Sequence, residues 1–114
     1  EICFIKLASY KGTKTSGTVI TSIGLDIDLF GKHVIILEDI IDTGKTMHEF
    51  LPQLFHQQPA SLKICALLHK PEAAKFPLII DYCGFSIPDK FVVGYGLDYD
   101  GLGRNIKEIY QWID

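Results

Sequence analysis

Apolar residues along the chain follow two different periods. Continuous apolar runs at residues 34–37 and 64–68 are typical of strands that are buried on both faces of a parallel sheet. Between these runs the apolar residues recur at i, i+3, i+4, i+7 and i+8, namely at Met47, Phe50, Leu51, Leu54 and Phe55. The chain is therefore predicted to place one amphipathic helix between two buried strands.

The remaining segments predict shorter elements around this unit. Residues 2–7 and 18–23 are rich in apolar or β-branched side chains and predict two strands, and the polar stretch 9–17 predicts the tip of a long hairpin. Further short strands are predicted at residues 78–82 and 91–93. The strand–helix–strand order favours a right-handed βαβ unit and an α/β fold.

The predicted helix has two notable residues near its ends. Asp42 or Thr43 is expected to cap its N-terminus, because short polar side chains accept hydrogen bonds from the first free N–H groups. Pro52 lies inside the helical pattern and lacks an N–H group. We therefore expect a kink at Pro52, or an early end to the helix.

Composition and charge exclude several classes of function. The 114 residues suffice for one small domain, and a net charge of −3 without a basic cluster argues against nonspecific nucleic-acid binding. No apolar run reaches the length of a membrane span. Cys3, Cys65 and Cys83 show no CxxC spacing, and no histidine has a zinc-like spacing. These features predict reduced thiols in a cytoplasmic protein that has no nucleic-acid or membrane partner.

The segment after the first buried run has the features of a phosphate site. Residues 42–46, Asp-Thr-Gly-Lys-Thr, open the predicted helix, whose N-terminus offers free N–H groups and a partial positive charge. A P-loop of the form GxxxxGK[ST] would need glycine where Asp39 stands, so that motif is rejected. Glu38 and Asp39 instead suit a sugar diol or Mg²⁺, and phosphate beside a diol indicates ribose 5-phosphate.

Residues 38–46, Glu-Asp-Ile-Ile-Asp-Thr-Gly-Lys-Thr, closely resemble the phosphoribosyl-pyrophosphate signature of type I phosphoribosyltransferases in its hypoxanthine-guanine form. A second block, residues 87–99, is similar to the purine-binding segment of the same enzymes. The resemblance implies an α/β fold in which helices flank a parallel sheet and a long-tipped β-hairpin forms a mobile lid. It covers nearly all of the chain as one domain, residues 1–114, and corresponds to the C-terminal portion of the family's fold.

The resemblance also implies roles for single residues. Phe91 would stack on the purine, the backbone of Val92 would meet its exocyclic edge, and Lys70 would donate to its 6-oxo group. Asp98 would lie near metal and pyrophosphate, and Arg104 near pyrophosphate. Ser9 and Tyr10 would belong to the lid. The expected catalytic residue is Asp42, which would handle the proton at purine N7.

The full set of expected site residues follows from these assignments. Substrate-binding residues are Glu38, Asp39, Ile41, Asp42, Thr43, Gly44, Lys45, Thr46, Lys70, Phe91, Val92, Asp98 and Arg104. The expected metal ligands for Mg²⁺ are Glu38, Asp39 and Asp98.

The implied activity is purine salvage. The enzyme would transfer the phosphoribosyl group from phosphoribosyl pyrophosphate to hypoxanthine or guanine, giving IMP or GMP and pyrophosphate, and would form a dimer or tetramer. The family's upstream pyrophosphate loop is not found in this sequence, so the chain is expected to be a fragment or a degenerate relative. Alternatives are another base specificity, such as xanthine, and a non-catalytic nucleotide-sensing module on the same fold.

Overall fold

A computed structural model describes residues 1–9, 19–23 and 27–113. In chain order its elements are strands β1 (Lys6–Ser9), β2 (Val19–Ile23) and β3 (His33–Ile41), helix α1 (Lys45–Phe55), strand β4 (Ser61–His69), a 3₁₀ turn (Pro71–Ala73), and strands β5 (Tyr82–Ser86), β6 (Val92–Val93) and β7 (Tyr110–Gln111). Within these described ranges no helix is long and apolar enough to cross a membrane.

The centre of the fold is a parallel sheet with strand order β3-β4-β5. Helix α1 connects β3 to β4 and buries Met47, Phe50 and Leu54 in the same core as Ile64 and Ala66 of β4. The predicted α/β fold with a parallel sheet and one amphipathic helix is therefore confirmed.

The prediction that β3 is buried on both faces is wrong. Buried or half-buried residues alternate with exposed ones along most of the strand, and the side chains of Ile35 and Leu37 are 58% and 77% exposed. Val34 and Ile36 point to the other face and pack against the core that α1 covers. Within the described residues, only that face of β3 is covered.

Strand β3 is also longer than the predicted run at residues 34–37, because it extends from His33 to Ile41. Glu38 pairs with Ala66, and Ile40 pairs with Leu68, in the parallel ladder to β4. Backbone pairing with the neighbouring strand thus outweighs the low strand preference of the two acids. Glu38 and Asp39 consequently lie in the last four residues of β3, before the loop at residues 42–44.

The predicted strand at residues 78–82 is displaced in the structure, where β5 begins only at Tyr82. Asp81 explains the late start, because its carboxylate accepts a hydrogen bond from the Ile64 N–H while its own N–H donates to the Ile64 carbonyl. Leu78 and Ile80 still pack against the core without forming a strand. The prediction at residues 91–93 is close, since β6 covers Val92–Val93.

Helix α1 begins after Gly44, which occupies the N-cap position in a left-handed conformation and has no side-chain cap. The predicted Asp42 or Thr43 cap is therefore wrong, although the Thr43 hydroxyl accepts a 3.3 Å hydrogen bond from the Lys45 N–H. Pro52 lies inside the helix, which ends at Phe55. The proline is thus accommodated in the last turn of the helix.

The hairpin at the start of the chain is confirmed as an antiparallel pair of β1 and β2. Ser9, the first expected lid residue, ends β1 and pairs with Val19 of β2. Tyr10, the second expected lid residue, lies outside the described residues, as does the predicted tip.

Candidate functional site

A cavity of about 200 Å³ lies where β3 ends and α1 begins. Its lining residues are Glu38, Ile40, Ile41, Asp42, Thr43, Gly44, Lys45, Thr46 and Met47. The cavity is at the carboxyl end of a parallel strand and beside a helix N-terminus, which is where ligands bind in open α/β sheets. Seven of the nine lining residues were expected site residues from sequence, and Ile40 and Met47 were not.

Backbone N–H groups are the main anion-binding feature of this cavity. The N–H groups of Gly44, Thr46 and Met47 donate to no acceptor within the described part of the chain. The first turn of α1 contains no acidic side chain that would compete for them. Free N–H groups and the positive end of the helix dipole favour a phosphate at this position.

Gly44 is required by the shape of the loop. Its φ of +86° is a conformation that L-residues with a side chain rarely adopt. A Cβ atom at this position would approach Leu78 Cδ1 to 3.1 Å and the Phe76 carbonyl oxygen to 3.2 Å. The segment behind the loop therefore packs closely enough that a side chain here would push Leu78 or the Phe76 carbonyl away by a few tenths of an ångström.

Lys70 reaches the same loop from the neighbouring strand. Ile41 pairs with His69, and the Lys70 N–H donates to the Ile41 carbonyl at 3.1 Å, so the ends of β3 and β4 lie side by side. Lys70 Nζ donates to Asp42 Oδ2 at 3.2 Å. The lysine side chain is 7% exposed and the aspartate side chain 51%, so a buried ammonium meets a carboxylate that also faces solvent.

Glu38 has a perturbed acidity. Burial of its carboxyl, with a smaller contribution from the charge of Asp39, raises the pKa of Glu38 to about 7. Asp39 is exposed, and its carboxylate accepts a 2.7 Å hydrogen bond from the Ile40 N–H. The two acids thus differ, because one is partly desolvated and the other faces water.

This pKa predicts a pH-dependent stability. The folded pKa of Glu38 lies above its usual value of 4.5, so its contribution to folding is fully present below pH 4.5 and is lost as the pH rises through about 7. Glu38→Gln should therefore raise the free energy of unfolding at about pH 8.5 by about 1–2 kcal/mol, after allowance for solvent screening, and change it little at about pH 5. Urea unfolding without divalent cations measures both values.

The control for this prediction is Glu72→Gln, which removes an exposed carboxylate of the 3₁₀ turn. It should leave the difference between the two pH values as it is in the unmodified chain. An equal effect of Glu38→Gln at both pH values would contradict the assigned pKa.

The second block of expected site residues begins beside Lys70. The Ile87 N–H donates to the His69 carbonyl at 2.8 Å, so the segment that leads from β5 to β6 starts beside the end of β4. Val92 is the first residue of β6, and Phe91 directly precedes it. Phe91 is 48% exposed. A purine-sized ring could therefore reach an open face of Phe91.

Asp98 and Arg104 contact each other in the turn between β6 and β7. Arg104 Nη2 and Asp98 Oδ1 are 3.2 Å apart, and Arg104 Nη1 donates to the Gly96 carbonyl at 2.9 Å. The other Asp98 oxygen accepts from the Gly101 N–H at 2.7 Å. These contacts stabilise the turn and occupy both carboxylate oxygens of Asp98.

The structure thus groups the expected residues into two sets. Glu38, Ile41 and residues 42–46 line one cavity, with Lys70 paired to Asp42, whereas Asp39 is not part of the lining. Among the described residues, no hydrogen bond, ion pair or ring contact joins the set Phe91, Val92, Asp98 and Arg104 to this cavity. The described residues also contain no group of three or more His, Cys, Asp or Glu side chains that could hold a metal.

Sequence reasoning missed two aromatic residues beside Phe91. Tyr99 meets the Phe91 ring edge-on, with centroids 5.9 Å apart, and stacks on Trp112 at 4.7 Å. Tyr99 belonged to the block used for the resemblance, but no local signal gave it a role. Trp112 is distant in sequence and is brought close only by the pairing of β6 with β7.

A parallel sheet with a helix N-terminus at the end of one strand, and a Lys–Asp pair beside it, defines an α/β protein with a cavity whose free N–H groups suit an anion. Residues 1–100 match the phosphoribosyl transferase domain family, and the chain belongs to that family.

Individual relatives agree with this assignment. The chain is 46% identical over 109 residues to a hypoxanthine-guanine phosphoribosyltransferase of Aquifex aeolicus, covering 95% of this chain and 61% of the relative. It is 42% identical to the hypoxanthine-guanine-xanthine enzyme of Tritrichomonas foetus, covering 93% and 58%. A crystal structure of a hypoxanthine-guanine phosphoribosyltransferase from Bacillus anthracis superposes with a TM-score of 0.88 at 43% identity, covering 96% and 65%. The chain thus spans about three-fifths of the length of these relatives.

Proposed function

We propose that the chain carries the phosphoribosyl- and purine-binding part of a hypoxanthine-guanine phosphoribosyltransferase. The enzyme transfers the 5-phosphoribosyl group from phosphoribosyl pyrophosphate to the base, which gives the nucleoside monophosphate and pyrophosphate. The observation that carries this proposal is a cavity in which free helix N-terminal N–H groups adjoin the Asp42–Lys70 pair. Family membership and the named relatives support the same reaction.

The phosphate end of the ligand is assigned to residues 43–46. The backbone donors, the Thr43 and Thr46 hydroxyls and the Lys45 side chain supply donors to the 5-phosphate around Gly44. Ile41 closes the apolar side of the cavity, and Glu38 and Asp39 are assigned to the ribose hydroxyls. Holding both ends of the sugar phosphate in this way would orient the anomeric carbon for displacement.

The base end is assigned to the Lys70–Asp42 pair. A 6-oxopurine presents an acceptor, the 6-oxo group, next to N7, which carries a proton as N9 attacks the sugar. A donor and an acceptor 3.2 Å apart are complementary to that edge, with Lys70 donating to the oxygen and Asp42 accepting from N7. The 6-amino group of adenine would place a donor against the Lys70 ammonium, which disfavours adenine.

The second set of residues completes the proposed base and pyrophosphate sites. Phe91 stacks on the purine and the Val92 backbone meets its exocyclic edge. Arg104 and Asp98 face the pyrophosphate, and Ser9 and Tyr10 belong to a lid that excludes water from the reacting carbon.

Mg²⁺ is assigned to this end of the cavity as a cation that would bind together with its substrate. Mg²⁺ is usually held by one or two carboxylates plus substrate phosphates, so Glu38, which lines the cavity, is the first proposed ligand, and Asp39, the next residue along β3, is the second. A bound Mg²⁺ would neutralise charge on the leaving pyrophosphate. Asp98 is the third proposed ligand.

The proposal includes a second possibility for base specificity. The name of the Tritrichomonas foetus relative includes xanthine, so xanthine is an alternative substrate for this chain. A cytoplasmic location, a homodimer or homotetramer, and residues 1–114 as one portion of the domain belong to the same proposal.

The test is calorimetric titration of the chain with guanosine monophosphate and, separately, with phosphoribosyl pyrophosphate, both with Mg²⁺ present. We expect dissociation constants between the micromolar and low millimolar ranges. The double variant Asp42→Asn, Thr46→Ala should weaken binding of the nucleotide by at least about tenfold, because it removes one hydroxyl donor and the charge of the base-facing carboxylate. Binding of phosphoribosyl pyrophosphate, which has no base, should weaken less, because that ligand loses only the Thr46 hydroxyl. A folded chain that binds neither ligand would contradict the proposal.

A further inference from the structure

The aromatic cluster of Phe91, Tyr99 and Trp112 lies outside the cavity lining, and Tyr99 and Trp112 have no role in the function described above. Tyr99 and Phe91 meet at an interplanar angle of 87°, and Tyr99 and Trp112 are nearly parallel at 16°. Trp112 thus touches Tyr99, and Tyr99 touches Phe91, in a continuous row of three rings.

Each of the three rings is only partly buried. The exposed fractions are 48% for Phe91, 50% for Tyr99 and 46% for Trp112, so no deep core holds these side chains in place. The edge-to-face and offset-stacked geometries are the ones that aromatic pairs prefer. Among the described residues, Tyr99 is the aromatic ring that contacts Phe91, and this contact restrains the orientation of the Phe91 ring.

The backbone around the cluster is a short ribbon whose connecting turn is hydrogen-bonded, for example from the Tyr95 N–H to the Ile106 carbonyl at 2.8 Å. Strands β6 and β7 have two residues each and form a separate two-stranded sheet, and such ribbons are marginal by themselves. The Trp112 N–H donates to the Phe91 carbonyl at 2.8 Å, so the two residues are neighbours across this ribbon. Tyr99 comes from the connecting turn and lies between their side chains.

We propose that Tyr99 and Trp112 are positioning residues, which hold the Phe91 ring in the orientation that stacks on the purine. The inference rests on the proposed function, in which Phe91 contacts the base. A ring that is already oriented loses less rotamer freedom when a ligand stacks on it, and this saving appears as affinity for the base. The phosphate end of the ligand gains nothing from the cluster, because residues 42–46 are held by other contacts.

The test compares guanosine monophosphate with ribose 5-phosphate, which shares its phosphate and ribose but has no base. Trp112→Leu and Tyr99→Leu should each weaken binding of the nucleotide by about 3–10-fold and leave ribose 5-phosphate binding unchanged. Trp112→Phe keeps a ring for stacking and should restore most of the nucleotide affinity. Unchanged ribose 5-phosphate binding shows that the variants retain the fold of the phosphate cavity.

Trp112 is the single tryptophan of the chain, so its fluorescence gives an independent measurement. Guanosine monophosphate should change its emission, ribose 5-phosphate should not, and Tyr99→Leu should abolish the response because the ring between Phe91 and Trp112 is lost.

Three results would overturn the inference while the proposed function stands: unaltered nucleotide affinity in both leucine variants, an equal loss for both ligands, or a phenylalanine variant as weak as the leucine one. If the unmodified chain binds ribose 5-phosphate as tightly as the nucleotide, the base contact at Phe91 is wrong and the inference is overturned with it. If the unmodified chain binds neither, the proposed function itself fails.

Discussion

Gly44→Ala is expected to lower the free energy of unfolding by about 2–4 kcal/mol and to weaken binding of guanosine monophosphate by at least about tenfold. Two costs add. The first is the left-handed backbone, at a φ of +86°, and the second is the close approach of the new Cβ to Leu78 and to the Phe76 carbonyl. The loop must shift to relieve that contact, and the N–H groups of the phosphate site shift with it.

Gly31→Ala is the matched control for this variant. Gly31 also has a positive φ, +69°, but a Cβ there would meet nothing within 4 Å. The control should therefore show only the backbone cost of about 1–2 kcal/mol and no loss of nucleotide affinity. Urea unfolding and titration of both variants give the comparison. Equal effects of the two substitutions on affinity would show that the packing behind Gly44 does not shape the phosphate site.

Asp42→Ala is expected to destabilise the fold by about 2–3 kcal/mol, whereas Lys70→Met should cost less than about 1 kcal/mol. The asymmetry follows from burial. Removing the aspartate leaves a buried ammonium without its carboxylate, whereas removing the lysine leaves a half-exposed carboxylate that water can solvate. The methionine side chain also fills much of the volume that the lysine stem occupies.

A double-mutant cycle checks this asymmetry. The variant with both substitutions should recover much of the stability that Asp42→Ala loses, because no charge is then left buried. Glu1→Ala is the control, since it breaks the exposed Lys32–Glu1 ion pair and should produce no measurable change. Single-variant effects that are equal and strictly additive would contradict the assigned burial of Lys70.

Periodicity predicted the elements whose burial is encoded locally. The helix and the parallel pair of β3 and β4 could be predicted because an apolar stripe or run marks each of them without reference to the rest of the chain. Met47, Phe50 and Leu54 of the predicted face are buried, whereas Phe55 at the end of the helix is 57% exposed. The cavity lining at residues 41–46 could also be predicted from sequence, because this one short segment ends the strand and begins the helix.

The differences arise where distant residues decide the local structure. Asp42 is a better N-cap than glycine by preference, but the N-cap position is taken by Gly44, where the left-handed backbone and the close packing of Leu78 and Phe76 favour a residue without a Cβ. Glu38 lies in a strand because Ala66 is its partner in β4. The row of rings at Trp112 depends on the pairing of β6 with β7, which no local pattern encodes.

Thr43 has a consequence for how the phosphate site could be altered. Its carbonyl oxygen accepts hydrogen bonds from two consecutive N–H groups, those of Lys75 at 3.0 Å and Phe76 at 3.1 Å, which together fix the plane of the Thr43–Gly44 peptide. In a trans peptide the carbonyl and the following N–H point in opposite directions, so the Gly44 N–H points away from the 75–76 segment. The main-chain hydrogen bonds thus set the direction of the Gly44 N–H, and no exchange of side chains at positions 42, 43, 45 or 46 removes this donor. Only replacement of that amide by an ester would delete the donor while leaving every side chain in place.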